Sequence, residues 1–358
     1  MMEWVRLGDI ATYINGYAFK PTQWKETGIP IIRIQNLTNS NSSYNYTNAY
    51  LDDRYKVDRG DILISWSATL DVYEWDKDLA YLNQHIFKVE FNKIEINKDF
   101  FKYFVKYALI LSAKNAHGST MKHLTRKNFE KIKIPKFPLE LQNSLANLLN
   151  KVTGLIKIRK KQIQAYDDLI ESLFFEMFGD IRFNNNNFSM KKWKDVLNIV
   201  NGKNQKKVEN PNGKYPIYGS GGIMSYADDW LTKENSIIIG RKGNINKPIF
   251  VKEKFWNVDT AFGLEPLEDL INADYLFGFC KIFNFERLNK AVTIPSLTKK
   301  DLLDIDIPVP PIEMQNKFAD YVVKIEEEKK KLRESLEELE TLFDALMQDA
   351  FSGNLFKD

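Results

Sequence analysis

The chain contains one of its own segments twice. Residues 124–143 read LTRKNFEKIKIPKFPLELQN and residues 297–316 read LTKKDLLDIDIPVPPIEMQN, identical at ten of twenty positions with an offset of 173. The shared residues include Leu124/Leu297, Thr125/Thr298, Pro135/Pro308, Pro138/Pro311, Glu140/Glu313 and Gln142/Gln315. Such self-similarity fixes the architecture before any single residue is weighed, because one structural plan has to be built twice. Downstream, apolar residues keep a seven-residue period in both copies. Leu149, Ile156, Ile163, Ile170 and Met177 run beside Leu145, Val152, Arg159, Tyr166 and Leu173. The same offset carries these rows onto Val322, Lys329, Leu336, Phe343, Ala350 and Phe318, Ile325, Leu332, Leu339, Leu346. Alternating steps of three and four place both rows on one helix stripe, the pattern of a coiled-coil seam. Pro138 and Pro311 suit helix starts, Gly179 and Gly353 helix stops.

Upstream the likeness is weaker but ordered. Asn15-Gly16 answers Asn201-Gly202 and Pro30-Ile31 answers Pro216-Ile217, both at an offset of 186. Asp61–Ser65 resembles Ser236–Gly240 as a buried strand, and Asn97–Phe101 parallels Asn272–Leu276 before a short helix. Short apolar runs bounded by Gly, Asn and Pro indicate strand-rich domains. The expected fold is α/β (α+β): two strand-rich globular domains, residues 1–138 and 181–311, separated by two long helices, 139–180 and 312–358. Each helix would span roughly 60 Å at 1.5 Å per residue, and neither can bury its stripe alone. An antiparallel coiled coil with a pseudo-twofold internal repeat follows, an object able to grip two half-sites on one duplex. Each seam carries one basic residue, Arg159 or Lys329. Snorkelling to solvent is the expected behaviour, a register-setting or partner contact the alternative. Glu326 with Lys330 and Glu327 with Lys331 are expected helix-surface pairs.

The net charge of +3 is unevenly placed. Residues 312–351 hold eleven acidic and six basic side chains and residues 139–178 five of each, leaving about eight excess positive charges elsewhere. A basic excess on the globular parts favours a polyanion, because neutralised phosphates release counterions. One cysteine, Cys280, excludes a disulfide framework within the chain and suits a reducing, cytoplasmic compartment. His85, His117 and His123 are not in metal-ligand spacing. No apolar run reaches membrane-helix length, and the amino terminus lacks a signal-peptide layout. Catalytic motifs are missing too. Pro308-Val309-Pro310-Pro311-Ile312 has neither the amide or acid before its prolines nor the aromatic after them that methyl transfer to a base amine would need. Gly219-Ser220-Gly221-Gly222 lacks a Walker lysine and reads as a flexible, DNA-facing loop.

In order, these segments resemble the specificity subunits of type I restriction–modification systems over nearly the whole chain. The likeness rests on the Leu-Thr-x(7)-Ile-x-Ile-Pro segments and Pro-x-Glu-x-Gln helix starts at 124–142 and 297–315, and on openings at Trp4–Ile10 and Trp193–Leu197. Leu82–Phe87, Tyr218–Gly222 and Ile239–Gly243 are further family-like stretches. The resemblance implies a non-catalytic subunit whose two target-recognition domains each read one half of a bipartite double-stranded DNA site. It also implies two methyltransferase subunits docked on the helices, with restriction/translocase subunits joining them. S-adenosylmethionine and ATP would belong to those partners, and this chain would hold no cofactor, metal or membrane. A closely similar subunit serves some two-component type II enzymes, and a coiled-coil scaffold that binds only proteins is the reading from a different class.

Base edges are told apart by Arg, Asn and Gln, and phosphates are held by Lys, Arg, hydroxyls and amides. The candidates in the first domain are Asn15, Lys20, Gln35, Asn36, Gln84 and the run Ser119-Thr120-Met121-Lys122. In the second they are Lys203, Gln205, Lys206, Tyr218, Ser220, Arg241, Lys242 and Thr293. Trp66 and Tyr226 would either stack on DNA or pack locally. Gln142 and Gln315 would cap the junction to the helices or help seat a methyltransferase, the structural role being the expected one.

Overall fold

A computed structural model describes residues 3–39, 41–67, 69–115, 125–289 and 294–356. The chain forms two compact units, Met1–Ile158 with Ser335–Asp358, and Arg159–Glu334. Both long helices are continuous and contribute one half to each unit.

Unit 1 opens with β1 (Trp4–Arg6) and a single turn α1 (Leu7–Ile10), then β2 (Thr12–Asn15), β3 (Ile29–Ile32), α2 (Ile34–Thr38), β4 (Asn45–Thr47) and β5 (Lys56–Val57). There follow β6 (Ile62–Ser65), β7 (Asp71–Glu74), β8 (Ala80–Leu82), β9 (Ile86–Glu90), α3 (Lys98–Asn115), α4 (Arg126–Phe129), β10 (Lys133–Pro135) and α5 (Leu139–Phe178). One sheet has the order β2-β9-β6-β7 and a second β4-β3-β8-β5. All pairings of the first are antiparallel, whereas β3 and β8 run parallel. The α3 face covers the first sheet: Phe100 and Phe104 of α3, with Phe129 of α4, pack with Ile62, Ile64 and Phe87 in one core. That core also takes Leu145 and Leu149 of α5.

Unit 2 repeats the plan. It comprises β11 (Ser189–Lys192), α6 (Trp193–Val196), β12 (Leu197–Asn201), β13 (Tyr215–Gly219), β14 (Gly222–Ala227), β15 (Ser236–Gly240) and β16 (Ile249–Val251). It continues with β17 (Trp256–Asn257), β18 (Ala261–Pro266), α7 (Ala273–Ile282), α8 (Lys299–Leu303), β19 (Asp306–Val309) and α9 (Ile312–Ser352). The sheet β12-β18-β15-β16 matches β2-β9-β6-β7, and β14-β13-β17 matches β4-β3-β8. Registers match as well: Ile64 faces Phe87 as Ile239 faces Phe262. Parallel pairs Ile31–Tyr81 and Ile217–Trp256 likewise correspond. The strand pairs β1/β10 and β11/β19 join the two ends of each globular part. The expected buried strands at 61–65 and 236–240 are β6 and β15, buried throughout.

The two openings correspond at the same offset. Leu7 and Trp193 occupy the same place, each starting the single turn after the first strand and each fully buried. Trp4 lies three residues earlier, partly exposed, its ring 5.3 Å from that of Phe351. The offset of 186 seen at Asn15/Asn201 and Pro30/Pro216 thus extends to Leu7/Trp193.

Within each unit the long helices pack antiparallel. In unit 1 the beginning of α5 (Leu145, Leu149) shares a core with the end of α9 (Met347, Ala350). In unit 2 the end of α5 (Phe174, Phe178) meets the beginning of α9 (Phe318) at ring distances of 5.5 and 5.4 Å. Gly179 and Gly353 terminate the helices with φ of 70° and 75°, a left-handed conformation that favours glycine. Lys329 does not snorkel. It is 3% exposed, and its Nζ lies 2.6 Å from both Asp167 Oδ1 of α5 and Glu326 Oε1 of α9. Arg159 is half-buried, with its Nη1 donating to Gln162 at 3.1 Å and its Nε without a partner. The expected surface pairs are replaced by Glu326–Lys329, Glu328–Lys331 and Lys330–Glu334.

Gln142 and Gln315 fasten the helix starts. Gln142 accepts from the Asn97 amide at 2.9 Å and donates to Phe137 O at 2.8 Å. Gln315 accepts from the Asn272 amide at 2.8 Å and donates to Pro310 O at 2.8 Å and Leu270 O at 3.2 Å. The neighbouring pairs Asn97–Asn143 and Asn272–Asn316 repeat the clamp. This buried, saturated arrangement bears out the structural role.

Candidate nucleic-acid interface

In unit 2 the predicted loop residues converge on one segment, 257–260. Gly202 must be glycine because a Cβ there would lie 1.8 Å from Val258 O. Its neighbour Lys203 donates its amide to Asn257 O at 3.0 Å and accepts from Trp256 Nε1 at 3.0 Å. Tyr218 O accepts from the Val258 amide at 2.9 Å. Arg241 donates its amide to Thr260 O at 2.8 Å, its guanidinium lying 5.9 Å from the Phe262 ring. Lys242 N reaches the same Thr260 carbonyl at 3.3 Å. Ser220 belongs to the two-residue turn between β13 and β14, so the expected loop at Gly219–Gly222 is a tight hairpin. A Cβ on Gly240 would sit 3.0 Å from Ser220 Cβ and 2.5 Å from Asn244 O, which brings the hairpin against the Arg241 turn.

Lys203, Lys206, Lys207, Arg241 and Lys242 are all exposed, and none forms an ion pair with a described carboxylate. Lys206 follows a turn closed by Asn204 Oδ1 at 3.0 Å, and Gln205 O accepts the amides of Val208 and Glu209. Tyr218 is half-buried against Phe255, and burial raises its hydroxyl above the ordinary tyrosine range. An uncompensated set of cations on turns at strand ends is chemically a polyanion surface. Thr293 lies outside the described residues.

Unit 1 uses the same places with different chemistry. Asn15 ends β2, exposed, before Gly16, whose Cβ would lie 2.2 Å from Asn83 O. Gln35 and Gln84 come together in a cavity of about 290 Å³, with Phe19, Trp24, Arg33 and His85 in its lining. Arg33 stacks on Trp24 at 5.2 Å and donates to Asn45 Oδ1 at 3.0 Å. The Trp24 Nε1 in that wall is buried without an acceptor. Lys20 is exposed at the mouth of a short 3₁₀ turn, its amide held by Gln23 Oε1 at 2.9 Å. Asn36 is different: it is buried, and it accepts from the Arg33 amide and donates to Ser43 O, both at 3.0 Å. Those bonds fix the α2 turn and leave little for a ligand. Ser119, Thr120 and Lys122 fall outside the described residues.

Sequence reading missed Trp24, Arg33 and His85. Arg33 is legible only once Ile29–Ile32 is known to be the strand β3 that delivers it beside the β8–β9 connection. It also missed that Trp66 and Arg241 hold one position. Each follows the central strand, each amide donates to the matching carbonyl (His85 O at 3.3 Å, Thr260 O at 2.8 Å), and each side chain lies on the matching phenylalanine. Trp66 packs locally, stacked on Phe87 at 5.8 Å. Among the described residues no three His, Cys, Asp or Glu side chains could hold a metal ion, and no helix is long and apolar enough to cross a membrane.

The family model for the type I restriction modification DNA specificity domain matches residues 1–165 and 185–341. The chain is 25% identical to the type I restriction enzyme EcoBI specificity subunit of Escherichia coli, over 47% of this chain and 36% of that protein. It is 25% identical to the MjaVIII specificity subunit of Methanocaldococcus jannaschii, over 94% of this chain and 89% of that one. In fold it is similar to the S subunit of a type I system from M. genitalium, with a TM-score of 0.60, 17% identity, and 98% and 96% of the two chains covered. A chain from a study of complex assembly and conformational transition in the type I R-M system gives 0.55 at 18% identity, with 98% and 97% covered. With two domain matches falling on two copies of one fold, the chain belongs to the type I restriction–modification DNA specificity family.

Proposed function

We propose that this chain is the sequence-reading subunit of a type I restriction–modification complex, each globular domain recognising one half of a bipartite duplex site. The observation that carries the reading is the repeated fold with unlike residues at like places: Lys203, Tyr218, Arg241 and Lys242 bond to 257–260, with Ser220 against Gly240 beside them, while Gln35, Gln84 and Arg33 gather in unit 1. One scaffold bearing two side-chain sets is what two different half-sites require. In this reading the glutamines and Arg241 address base edges and the lysines and Ser220 address phosphates. The long helices would seat two methyltransferase subunits, to which restriction/translocase subunits attach, in the cytoplasm. S-adenosylmethionine and ATP would be bound by those partners, and chemistry on DNA would be theirs.

The test is to map methylated positions in DNA from cells carrying the chain with its methyltransferase. Exchanging residues 1–138 for those of a relative should change one half of the methylated motif and leave the other intact, and exchanging 181–311 should do the converse. If either exchange alters both halves, the division of labour is wrong. Lys203→Gln with Lys242→Gln should weaken duplex binding by the assembled complex and flatten its salt dependence by about two phosphate contacts. An unchanged slope would place DNA elsewhere.

A further inference from the structure

The internal repeat supplies a control for each strand position, and at one of them the two units carry opposite chemistry. The pairs β3/β4 and β13/β14 share a register: Pro30 faces Tyr46 as Pro216 faces Tyr226, and Ile31 faces Asn45 as Ile217 faces Ser225. Two residues beyond those isoleucines, Arg33 of unit 1 corresponds to Gly219 of unit 2. Arg33 holds its guanidinium against Trp24 and Asn45. At Gly219 the space goes to a thioether instead, because a Cβ there would lie 2.8 Å from the Met224 sulfur. The same Cβ would lie 3.8 Å from Val258 Cγ2. Met224 thus rests beside the 257–260 segment to which Lys203, Arg241 and Lys242 bond.

A β-bulge puts it there. The register slips after Ile217, so Tyr218 faces Ile223 and Met224 has no opposite residue on β13. An extra residue of this kind bends the strand and re-aims its side chains. Ile223 and Met224 are 53% and 62% exposed, an apolar pair at the tip of a hairpin among cations. An added protein strand is a poor occupant. The bulge interrupts the β14 ladder, the Asn210 amide already donates to Tyr226 O at 2.9 Å, and Glu209 bridges to Ala227.

We infer that Met224, with Ile223 beside it, reads thymine in the second half-site through the 5-methyl group of the base. In the major groove that methyl is the one apolar substituent a base pair presents among its donors and acceptors. Covering it with a thioether and a branched alkyl chain removes apolar surface from water on both sides. The surrounding Lys203, Arg241 and Lys242 suit the flanking backbone. At the matching place unit 1 offers Arg33, a side chain suited to guanine. The inference rests on the DNA reading proposed above and names one base contact within it.

The test measures binding of the assembled complex to duplexes in which each thymine of the half-site governed by residues 181–311 is replaced in turn by uracil, which lacks only the methyl group. At one position or more, uracil should weaken binding about fourfold, the scale of one buried methyl group. In the chain carrying Ile223→Ser with Met224→Ser, the thymine duplex should bind more weakly and uracil should cost nothing further at that position. The uracil series on the parent chain reads the contact even if that variant does not fold. A second half-site without an A·T pair, uracil tolerated at every position, or thymine preference retained in the folded variant would overturn the contact. Should exchange of 181–311 leave the methylated motif unchanged, the DNA reading itself fails. Should the exchange change the motif while uracil makes no difference, the thymine contact alone fails.

Discussion

At the scale of single residues, the side chains that matter most for shape are the ones that finish a hydrogen-bond set. Gln315 satisfies one amide and two carbonyls at the junction between the second domain and its helix. Gln315→Ala should therefore cost about 1–3 kcal/mol, because a buried donor and acceptors lose their partner. Denaturant unfolding of the variant reads that value, and a cost below about 0.5 kcal/mol would mean water replaces the amide. The role was legible in the sequence because Gln142 and Gln315 recur at the same distance from a helix-starting proline. The residues proposed to face DNA were less legible. Gln35 and Gln84 meet in one cavity although 49 positions separate them in the sequence. Asn36, chemically as good a base reader, is consumed by its own turn. Local sequence gives the polarity of a loop side chain but not whether the backbone around it has already claimed that polarity.

At the scale of elements, both long helices start where expected and the first ends within two residues of the expected 180, whereas the second ends at Ser352, before Gly353 and six residues short of the expected 358. The behaviour of the basic seam residue was not legible. Lys329 is enclosed between two carboxylates that keep about a third of their own surface exposed, 39% for Asp167 and 32% for Glu326. This asymmetry orders the expected effects. Lys329→Leu leaves two carboxylates that can turn to water and should stay within about 1 kcal/mol of the parent. Asp167→Ala with Glu326→Ala strands a buried ammonium and should cost about 3–5 kcal/mol. Thermal unfolding that ranks the two the other way would remove the triad from the helix pairing. The short strands were legible as apolar runs, but their pairing was not, because the partners β3 and β8 are joined through distant intervening segments.

At the scale of the molecule, repetition was the most legible property of all and also the most informative, since each unit serves as the reference for the other. It shows Trp66 standing where Arg241 stands and Arg33 standing where Gly219 makes room for Met224. It does not make the two units alike in connectivity. Unit 2 is a single stretch, Arg159–Glu334, whereas unit 1 needs Ser335–Asp358 as well. Phe351 stacks at 6.0 Å on Phe104, and Met347 and Ala350 are buried in the first core. Ending the chain after Glu334 should abolish amide-exchange protection in residues 3–112 while residues 189–285 keep theirs. Met347→Ala alone should cost about 2–4 kcal/mol, confined to unit 1. Equal loss of protection in both units would show that they unfold as one.

That connectivity has a consequence during synthesis. The ribosome makes the first reading head early and must then translate the whole of the second before the missing piece of the first core emerges. The later-made head can close while its elder sibling still waits with Leu145, Leu149 and Phe104 lacking their cover. The segment translated last thus completes the core that was begun first.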